Sequence, residues 1–130
     1  MLAKTKIKLL LIEKDIESRT QMIKHLHEFN NEVFRIVEAS DGLEGIQKLK
    51  NEEFHLIITE LKSDKKSAVD ICAYLKTLDL KAIPQVLITS QEISPDDVNM
   101  LREIGQKNFM IKPIQKEVFV KKALELLRSK

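Results

Sequence analysis

Several short apolar runs in this sequence end in carboxylates, hydroxyls and a lysine, the residue types that bind ions and perform nucleophilic chemistry. Carboxylates act as nucleophiles and as ligands of hard cations. A lysine ammonium is a compact positive charge that pairs with anions. Such groups work together only if the fold makes them converge, so the elements that carry them decide whether a site exists. The polar residues at the run ends are Glu13, Lys14, Asp15, Glu60, Thr89, Ser90, Lys112 and Pro113.

The apolar runs are predicted to be buried parallel strands. They are short, rich in Ile, Leu and Val, and they do not alternate strictly with polar residues. Strands that are covered on both faces have this character. The predicted strands are residues 7–12, 33–37, 56–59, 85–89 and 109–111.

The stretches between the runs place apolar residues at helical spacing. Ile16, Ile23 and Leu26 form the apolar face of the first stretch, and Val118 and Phe119 begin that of the last. The predicted helices are residues 15–30, 41–51, 67–78, 95–104 and 115–128.

Capping residues support these helix boundaries. Asp15 suits the start of the first helix, and either Ser40 or Asp41 suits the start of the second. Ser94 begins a Ser-x-x-Asp capping box with a proline at the first helical position. Gly105 suits the left-handed stop after the fourth helix.

The alternation of strands and helices predicts an α/β protein with a doubly wound, five-stranded parallel sheet. Strand–helix–strand units join parallel strands by right-handed crossovers, so helices cover both faces of the sheet. Ligands of such sheets bind at the carboxyl ends of the strands. The polar residues at the run ends are therefore expected to meet at one edge.

Composition excludes several classes of function. The chain has 130 residues, which suits one domain, and a net charge of +2, which is too balanced to indicate nucleic-acid binding. No apolar run is long enough to span a membrane. Cys72 is the only cysteine, so we expect no internal disulfide and a reducing cytoplasm. His25, His27 and His55 share no zinc-ligand spacing with it.

The chain resembles the response-regulator receiver domains, CheY-like signalling modules, over residues 7–127. In that family an acidic pair follows the first strand, a phosphate-accepting aspartate ends the third, a Thr or Ser ends the fourth, and Lys-Pro ends the fifth. The resemblance implies one receiver-like domain across residues 1–130, a flavodoxin-like (βα)5 fold and strand order 2-1-3-4-5. The matching positions are Glu13, Lys14, Glu60, Thr89, Phe109, Lys112 and Pro113.

The resemblance also implies a chemistry for these positions. In the family the aspartate attacks a phosphoryl group, and Mg²⁺ held by carboxylates offsets the phosphate charge. The lysine at position 112 pairs with the phosphoryl oxygens, and the hydroxyl at position 89 bonds the phosphorylated form. The aromatic residue at position 109 changes its packing with that hydroxyl. Lys112-Pro113 corresponds to a cis peptide bond in the family.

This sequence departs from the family at the residues that perform the chemistry. Glu60 is one methylene longer than aspartate, and a displacement of about 1 Å can cost ~100-fold in rate. Lys14 replaces the second acid of the pair, where it repels a cation and supplies no ligand. Our sequence-based hypothesis is that Lys14 and Lys112 neutralise Glu13 and Glu60, so that no metal is needed, while Asp15 caps the first helix.

Three functions follow as alternatives. The favoured one is a pseudo-receiver, not an enzyme, that binds a protein partner or a second copy through residues 94–128, without nucleic acid or membrane. The second is a conventional phospho-receiver that uses Glu60 or a displaced Asp64 with Mg²⁺. A flavin or nucleotide enzyme on the same sheet is disfavoured, because the loop after the first strand is acidic and bulky. Glu60 as a remnant of a decayed site, Thr89 as a capping hydroxyl and Phe109 as plain core also stay open.

Overall fold

The computed structural model of the chain describes residues 7–30, 34–79 and 83–128. Strands and helices alternate there, as predicted. Val33, which was predicted to begin the second strand, lies outside the described residues. The elements in chain order are β1 (Ile7–Ile12), α1 (Ile16–Asn30), β2 (Phe34–Ala39), α2 (Gly42–Asn51), β3 (Leu56–Glu60), α3 (Ala68–Lys76), β4 (Gln85–Ser90), α4 (Pro95–Glu103), β5 (Phe109–Ile111) and α5 (Lys116–Arg128).

The five strands form one parallel sheet in the order β2-β1-β3-β4-β5, which confirms the predicted fold. The register aligns the carboxyl ends of neighbouring strands. Ile12 at the end of β1 pairs with Ala39 of β2 and Thr59 of β3. Glu60 at the end of β3 pairs with Thr89 of β4. Residues that follow these strands therefore start from the same edge of the sheet.

Each face of the sheet packs against its own layer of helices. Successive strand residues point to opposite faces, so Leu10 joins the core beneath α2, α3 and α4, whereas Leu9 joins the core beneath α1 and α5. No helix in the described part of the chain is long and apolar enough to cross a membrane. The buried residues that the helices contribute are Met22, Leu26, Ile46, Leu49, Ala68, Ile71, Cys72, Leu75, Leu101, Phe119, Ala123 and Leu126.

Three apolar residues expected on buried helix faces, Ile16, Leu43 and Val118, are exposed. The prediction for Ile16 is wrong, since 68% of this residue is accessible to solvent. Ile16 is the first residue of α1 and lies at the edge of the sheet, so Met22 and Leu26 further along the helix supply the buried contacts. Val118 is exposed as well, because α5 turns Phe119 rather than Val118 toward the sheet.

The helix starts follow the predicted caps. Asp15 accepts a hydrogen bond from the Ser18 N–H at 2.9 Å. Asp41, rather than Ser40, caps α2. Ser94 caps α4 through a complete capping box. After α4 the chain turns at Gly105, whose φ of 80° lies in the left-handed region that glycine adopts without strain.

Gly42 lets the loop after β3 pack closely against the start of α2. A Cβ atom at Gly42 would lie 1.7 Å from the Lys66 carbonyl oxygen. The neighbouring Leu43 N–H donates to the Lys65 carbonyl at 3.1 Å. The backbone of Lys66 is left-handed, with φ of 62°. The position of this loop, which follows Glu60, is therefore fixed by α2.

Candidate functional site

Three charged side chains meet at the carboxyl edge of the sheet. Lys112, in the loop after β5, places its Nζ 2.5 Å from Oε1 of Glu13 and 3.2 Å from Oε2 of Glu60. Glu13 directly follows β1, and Glu60 is the last residue of β3. One ammonium thus bridges two carboxylates that the sequence separates by dozens of residues.

Backbone amides complete the bonding of both carboxylates. The Lys14 N–H donates to Oε1 of Glu60 at 2.8 Å. The Asp15 N–H donates to Oε2 of Glu13 at 3.1 Å. Three of the four carboxylate oxygens of Glu13 and Glu60 accept a hydrogen bond from the protein, and the fourth, Oε1 of Glu13, contacts Lys112 as an ion pair without hydrogen-bond geometry.

The backbone around the site is held by neighbouring strands. The Glu13 N–H donates to the Ala39 carbonyl at 3.0 Å, which extends the pairing of β1 with β2 by one residue. The Lys112 N–H donates to the Ser90 carbonyl at 2.8 Å. The peptide bond between Lys112 and Pro113 is cis. The bridging lysine is thus anchored to the end of β4 through its own main chain.

Burial and charge have opposite effects on the ionisation of these groups. Glu13 is only 1% exposed, and this burial raises its pKa, although the bond from Lys112 acts to lower it. Burial also acts to lower the pKa of Lys112, but the bonds and charges of Glu13 and Glu60 outweigh it, and its pKa is raised. Lys112 therefore remains an ammonium ion at neutral pH.

The hypothesis that the Lys14 side chain neutralises the two glutamates is wrong. Its side chain is 78% exposed, and its Nζ lies 3.5 Å from Oδ2 of Asp64 instead. Position 14 contributes its backbone N–H to Glu60, so Lys112 supplies the ammonium between the carboxylates. The physical reason is that residue 13 turns inward at the end of β1, which directs the next side chain to solvent.

Asp15 and Asp64 lie beside the cluster without joining it. Asp15 caps α1 as predicted, and the bonds that it accepts from Ser18 lower its pKa. Asp64 lies on the loop after β3, with its side chain 87% exposed. Lys14 is its ion-pair partner across an open cleft. The ion pairs of Lys112 are with Glu13 and Glu60, and they include neither aspartate.

Thr89 and Phe109 lie next to the cluster on β4 and β5. Thr89 is buried and pairs in register with Glu60 on one side and Met110 on the other. Phe109 is partly buried and packs against the core cluster that includes Leu101 of α4. The switch roles inferred for Thr89 and Phe109 stay predictions.

Sequence reasoning missed one supporting residue, Arg19. Its Nη1 donates to the carbonyl oxygen of Glu13 at 2.7 Å, and its Nε pairs with Glu38 at 2.9 Å. Arg19 thereby ties α1 to the ends of β1 and β2. Its position one helical turn after the Asp15 cap is the signal that could have revealed it.

The sheet order and the acid–lysine cluster at its carboxyl edge define a receiver-type signalling domain. Residues 9–124 match the family model of the response regulator receiver domain, and the chain belongs to that family. It is therefore the receiver domain of a two-component response regulator.

Relatives and solved structures agree with this assignment. The chain is 28% identical to a protein of Picosynechococcus sp. named as a probable transcriptional regulatory protein, with 95% of this chain and 50% of the relative covered. It is 26% identical to the uncharacterised transcriptional regulatory protein YclJ of Bacillus subtilis, with 94% and 51% covered. The chain thus spans about half the length of these relatives.

Solved receiver structures share the fold. Chemotaxis response regulator CheY4 of Vibrio cholerae superposes with a TM-score of 0.80 at 20% identity, over 94% of this chain and 99% of that one. A CheY-like receiver domain protein of Methanospirillum hungatei gives a TM-score of 0.81 at 17% identity, over 95% and 94%. At these identities the likeness shows the fold alone.

Receiver domains are signalling modules, generally not enzymes, that interact with partner proteins such as kinases and effector domains. They typically bind Mg²⁺ for phosphorylation. The residues of this site do not fit that ion, because Lys14 stands where the second acid of the pair would supply a ligand, and the oxygens of Glu13 and Glu60 already contact backbone N–H groups or the Lys112 ammonium. The described residues also contain no group of three or more acidic, His or Cys side chains arranged to hold a metal.

Proposed function

We propose that this receiver domain acts by protein–protein interaction, without conventional aspartyl phosphorylation. The observation that carries the proposal is the bonding of Glu60, the residue at the acceptor position. One of its oxygens accepts from the Lys14 N–H and the other from Lys112. We further propose that the chain is one domain across residues 1–130 and that it works in the cytoplasm, where its single cysteine stays reduced.

Two physical effects oppose phosphoryl transfer to Glu60. The extra methylene displaces its carboxylate by about 1 Å from the aspartate position, which can cost ~100-fold in rate. In addition, both oxygens of Glu60 already have donors, so their lone pairs are less available for attack. We infer that Glu60 forms part of a preassembled charge cluster with Glu13 and Lys112, without a resident metal.

The proposed interaction surface is residues 94–128, which comprise α4, β5 and α5. Ile111 and Val118 in this region are exposed although both are large and apolar. Large apolar side chains left in solvent favour contact with another protein. Lys112 belongs to the same region and connects it to the charge cluster. The partner is a protein or a second copy of this chain, with no role for nucleic acid or a membrane.

Incubation with acetyl phosphate and Mg²⁺, followed by intact mass spectrometry, tests the proposal. We expect no mass gain for the wild-type protein or for a matched Glu60→Gln variant. A gain of one phosphoryl group that disappears in Glu60→Gln would overturn the proposal in favour of a glutamyl acceptor. A gain that disappears in Asp64→Asn would favour a displaced acceptor instead.

A further inference from the structure

We propose that four exposed lysines beside the charge cluster form a docking surface for an acidic, Asp- and Glu-rich segment of a partner protein. This inference goes beyond the proposed function, because the surface lies outside residues 94–128 and the chemistry of its partner is specified. The four lysines, which together are called the basic rim, are Lys14, Lys62, Lys65 and Lys66.

Three lysines of the basic rim line one open cleft of about 390 Å³. Lys14 belongs to the loop after β1, whereas Lys62 and Lys65 belong to the loop after β3. The two loops leave neighbouring strands, so they form opposite walls of the cleft. Lys66 follows in the second loop and is exposed as well. An acidic side chain that enters the cleft would therefore lie among several ammonium groups.

The basic rim carries an excess of positive charge. Its four lysines are accompanied in the loop after β3 by one exposed acid, Asp64, which leaves three positive charges in excess. The net charge of the whole chain is +2, so the remaining residues together are net negative. The other carboxylates of the cleft are already bonded within the protein, because Asp41 accepts from the Glu44 N–H at 2.9 Å and Glu60 pairs with Lys112.

The ammonium groups of the basic rim are weakly bound within the protein. Nζ of Lys14 lies 3.5 Å from Oδ2 of Asp64, and Nζ of Lys62 lies 4.0 Å from Oδ2 of Asp97. The ion pairs among the described residues include neither of the other two lysines. Exposed ion pairs contribute little free energy, so a partner's carboxylates can replace these contacts at small cost.

The loop after β3 holds its lysines in a fixed arrangement before a partner binds. The Leu43 N–H and the Ser63 hydroxyl both donate to the Lys65 carbonyl, at 3.1 Å and 3.0 Å. Lys66 is the only described residue other than glycine with a positive φ, at 62°. Strained backbone of this kind persists where surrounding structure enforces it, and it is concentrated at functional sites. A surface that is ordered in advance loses less entropy on binding.

The helix starts beside the cleft favour carboxylates over phosphate as the bound groups. Phosphate binds readily where unbonded N–H groups at a helix start point toward it. Here α2 is capped by Asp41, and α3 is capped by a box of Ser67 and Asp70. The groups that remain are separate lysine ammoniums, each a compact point charge. Such groups suit carboxylates that are spaced along an acidic segment.

Fluorescence anisotropy with a labelled oligoglutamate peptide at low ionic strength tests the inference. We expect the wild-type protein to bind this peptide. We expect Lys62→Glu/Lys65→Glu to bind at least about 10-fold more weakly, because two attractive charges become repulsive. The control is Lys121→Glu/Lys122→Glu on α5, which makes the same change in net charge at another place and should change Kd by less than about 2-fold. Equal weakening in the two variants, or no binding by the wild type, would overturn the inference.

NMR spectra of the wild-type protein provide a second measurement, in case Lys62→Glu/Lys65→Glu does not fold. On addition of the peptide, amide shifts should be confined to Lys14 and residues 61–67, and they should disappear at about 0.5 M NaCl because salt screens exposed charges. Shifts centred on residues 94–128 would contradict the proposed surface. Tighter binding of a single-stranded DNA of equal charge would also contradict it, since the basic rim would then be a nucleic-acid site.

These results are separable from the test of the proposed function, because the binding experiments contain no phosphoryl donor. A phosphoryl mass gain from acetyl phosphate would overturn the proposed function and leave the basic rim standing. Peptide binding that does not depend on the basic rim would overturn this inference and leave interaction through residues 94–128 standing.

Discussion

Burying Glu13 carries a large desolvation free energy, because a carboxylate loses its hydration when it leaves water. The ion pair with Lys112 offsets part of that desolvation free energy, and the hydrogen bond from the Asp15 N–H offsets more of it. Such a pair is weak evidence of net stabilisation, since two apolar residues often serve as well. Removing only one member of the pair is destabilising, because the remaining buried charge then has no partner.

Lys112→Met is therefore expected to lower the free energy of unfolding by about 3 kcal/mol at neutral pH. The substitution leaves Glu13 buried without its ammonium partner, although methionine has nearly the same volume as the lysine that it replaces. Urea unfolding followed by circular dichroism measures the change. Lys116→Met, at an exposed pair, should change it by less than about 1 kcal/mol. Equal losses in the two variants would show that Lys112 has no special role in stability.

Glu13→Gln is expected to change how stability depends on pH. Burial raises the pKa of Glu13 above its ordinary value of 4.5. A group whose pKa is higher in the folded state contributes stability that is fully present below its unfolded pKa and is lost as the pH rises through its folded pKa. The stability of the wild type relative to Glu13→Gln should thus be highest below pH 4.5 and fall above it. Urea unfolding of both proteins between about pH 4 and about pH 8 measures this difference, and a constant difference would contradict the assignment.

At the scale of elements, the loop after β3 depends on the absence of a side chain in α2. Gly42→Ala is expected to destabilise the protein by about 2 kcal/mol, because its Cβ would lie 1.7 Å from the Lys66 carbonyl oxygen and the loop must move. Thermal unfolding measures the loss. The control Gly105→Ala meets no neighbouring atom and should cost only about 1 kcal/mol from its positive φ. The reverse order of effects would mean that the loop adapts freely.

The elements were predictable from the sequence because their signals are local. The apolar runs, the Ser94 box and the Asp15 cap each act within a few residues, and all of them correspond to observed elements. The direction of the Lys14 side chain was not predictable, since it depends on which residue turns inward where β1 ends. Ile16 was misplaced for a similar reason, because helical spacing shows which residues share a face but not where the sheet stops beneath them.

At the scale of the whole molecule, the receiver fold is kept while two positions of its site differ from the family, with Glu60 at the acceptor position and Lys14 in the acidic pair. The sheet order, the TM-score of 0.80 to a chemotaxis receiver and the Lys112-Pro113 cis bond all follow the family. If Lys14 and Glu60 alone prevent phosphotransfer in this chain, placing an aspartate at both positions should restore the reaction. Neither single change suffices, because one leaves a long acceptor and the other leaves a lysine where a carboxylate ligand is needed.

The double variant Lys14→Asp/Glu60→Asp is therefore expected to gain one phosphoryl group from acetyl phosphate in the presence of Mg²⁺, as measured by intact mass. Its rate of phosphorylation should exceed that of either single variant by at least about 10-fold, since each remaining defect affects the same transition state. Circular dichroism should show that all three variants fold like the wild type, because position 14 is exposed and position 60 loses only one methylene. If the double variant folds but stays unmodified, other departures from the family, such as the loop that carries Asp64, must also block the chemistry. The change of function would then extend beyond positions 14 and 60.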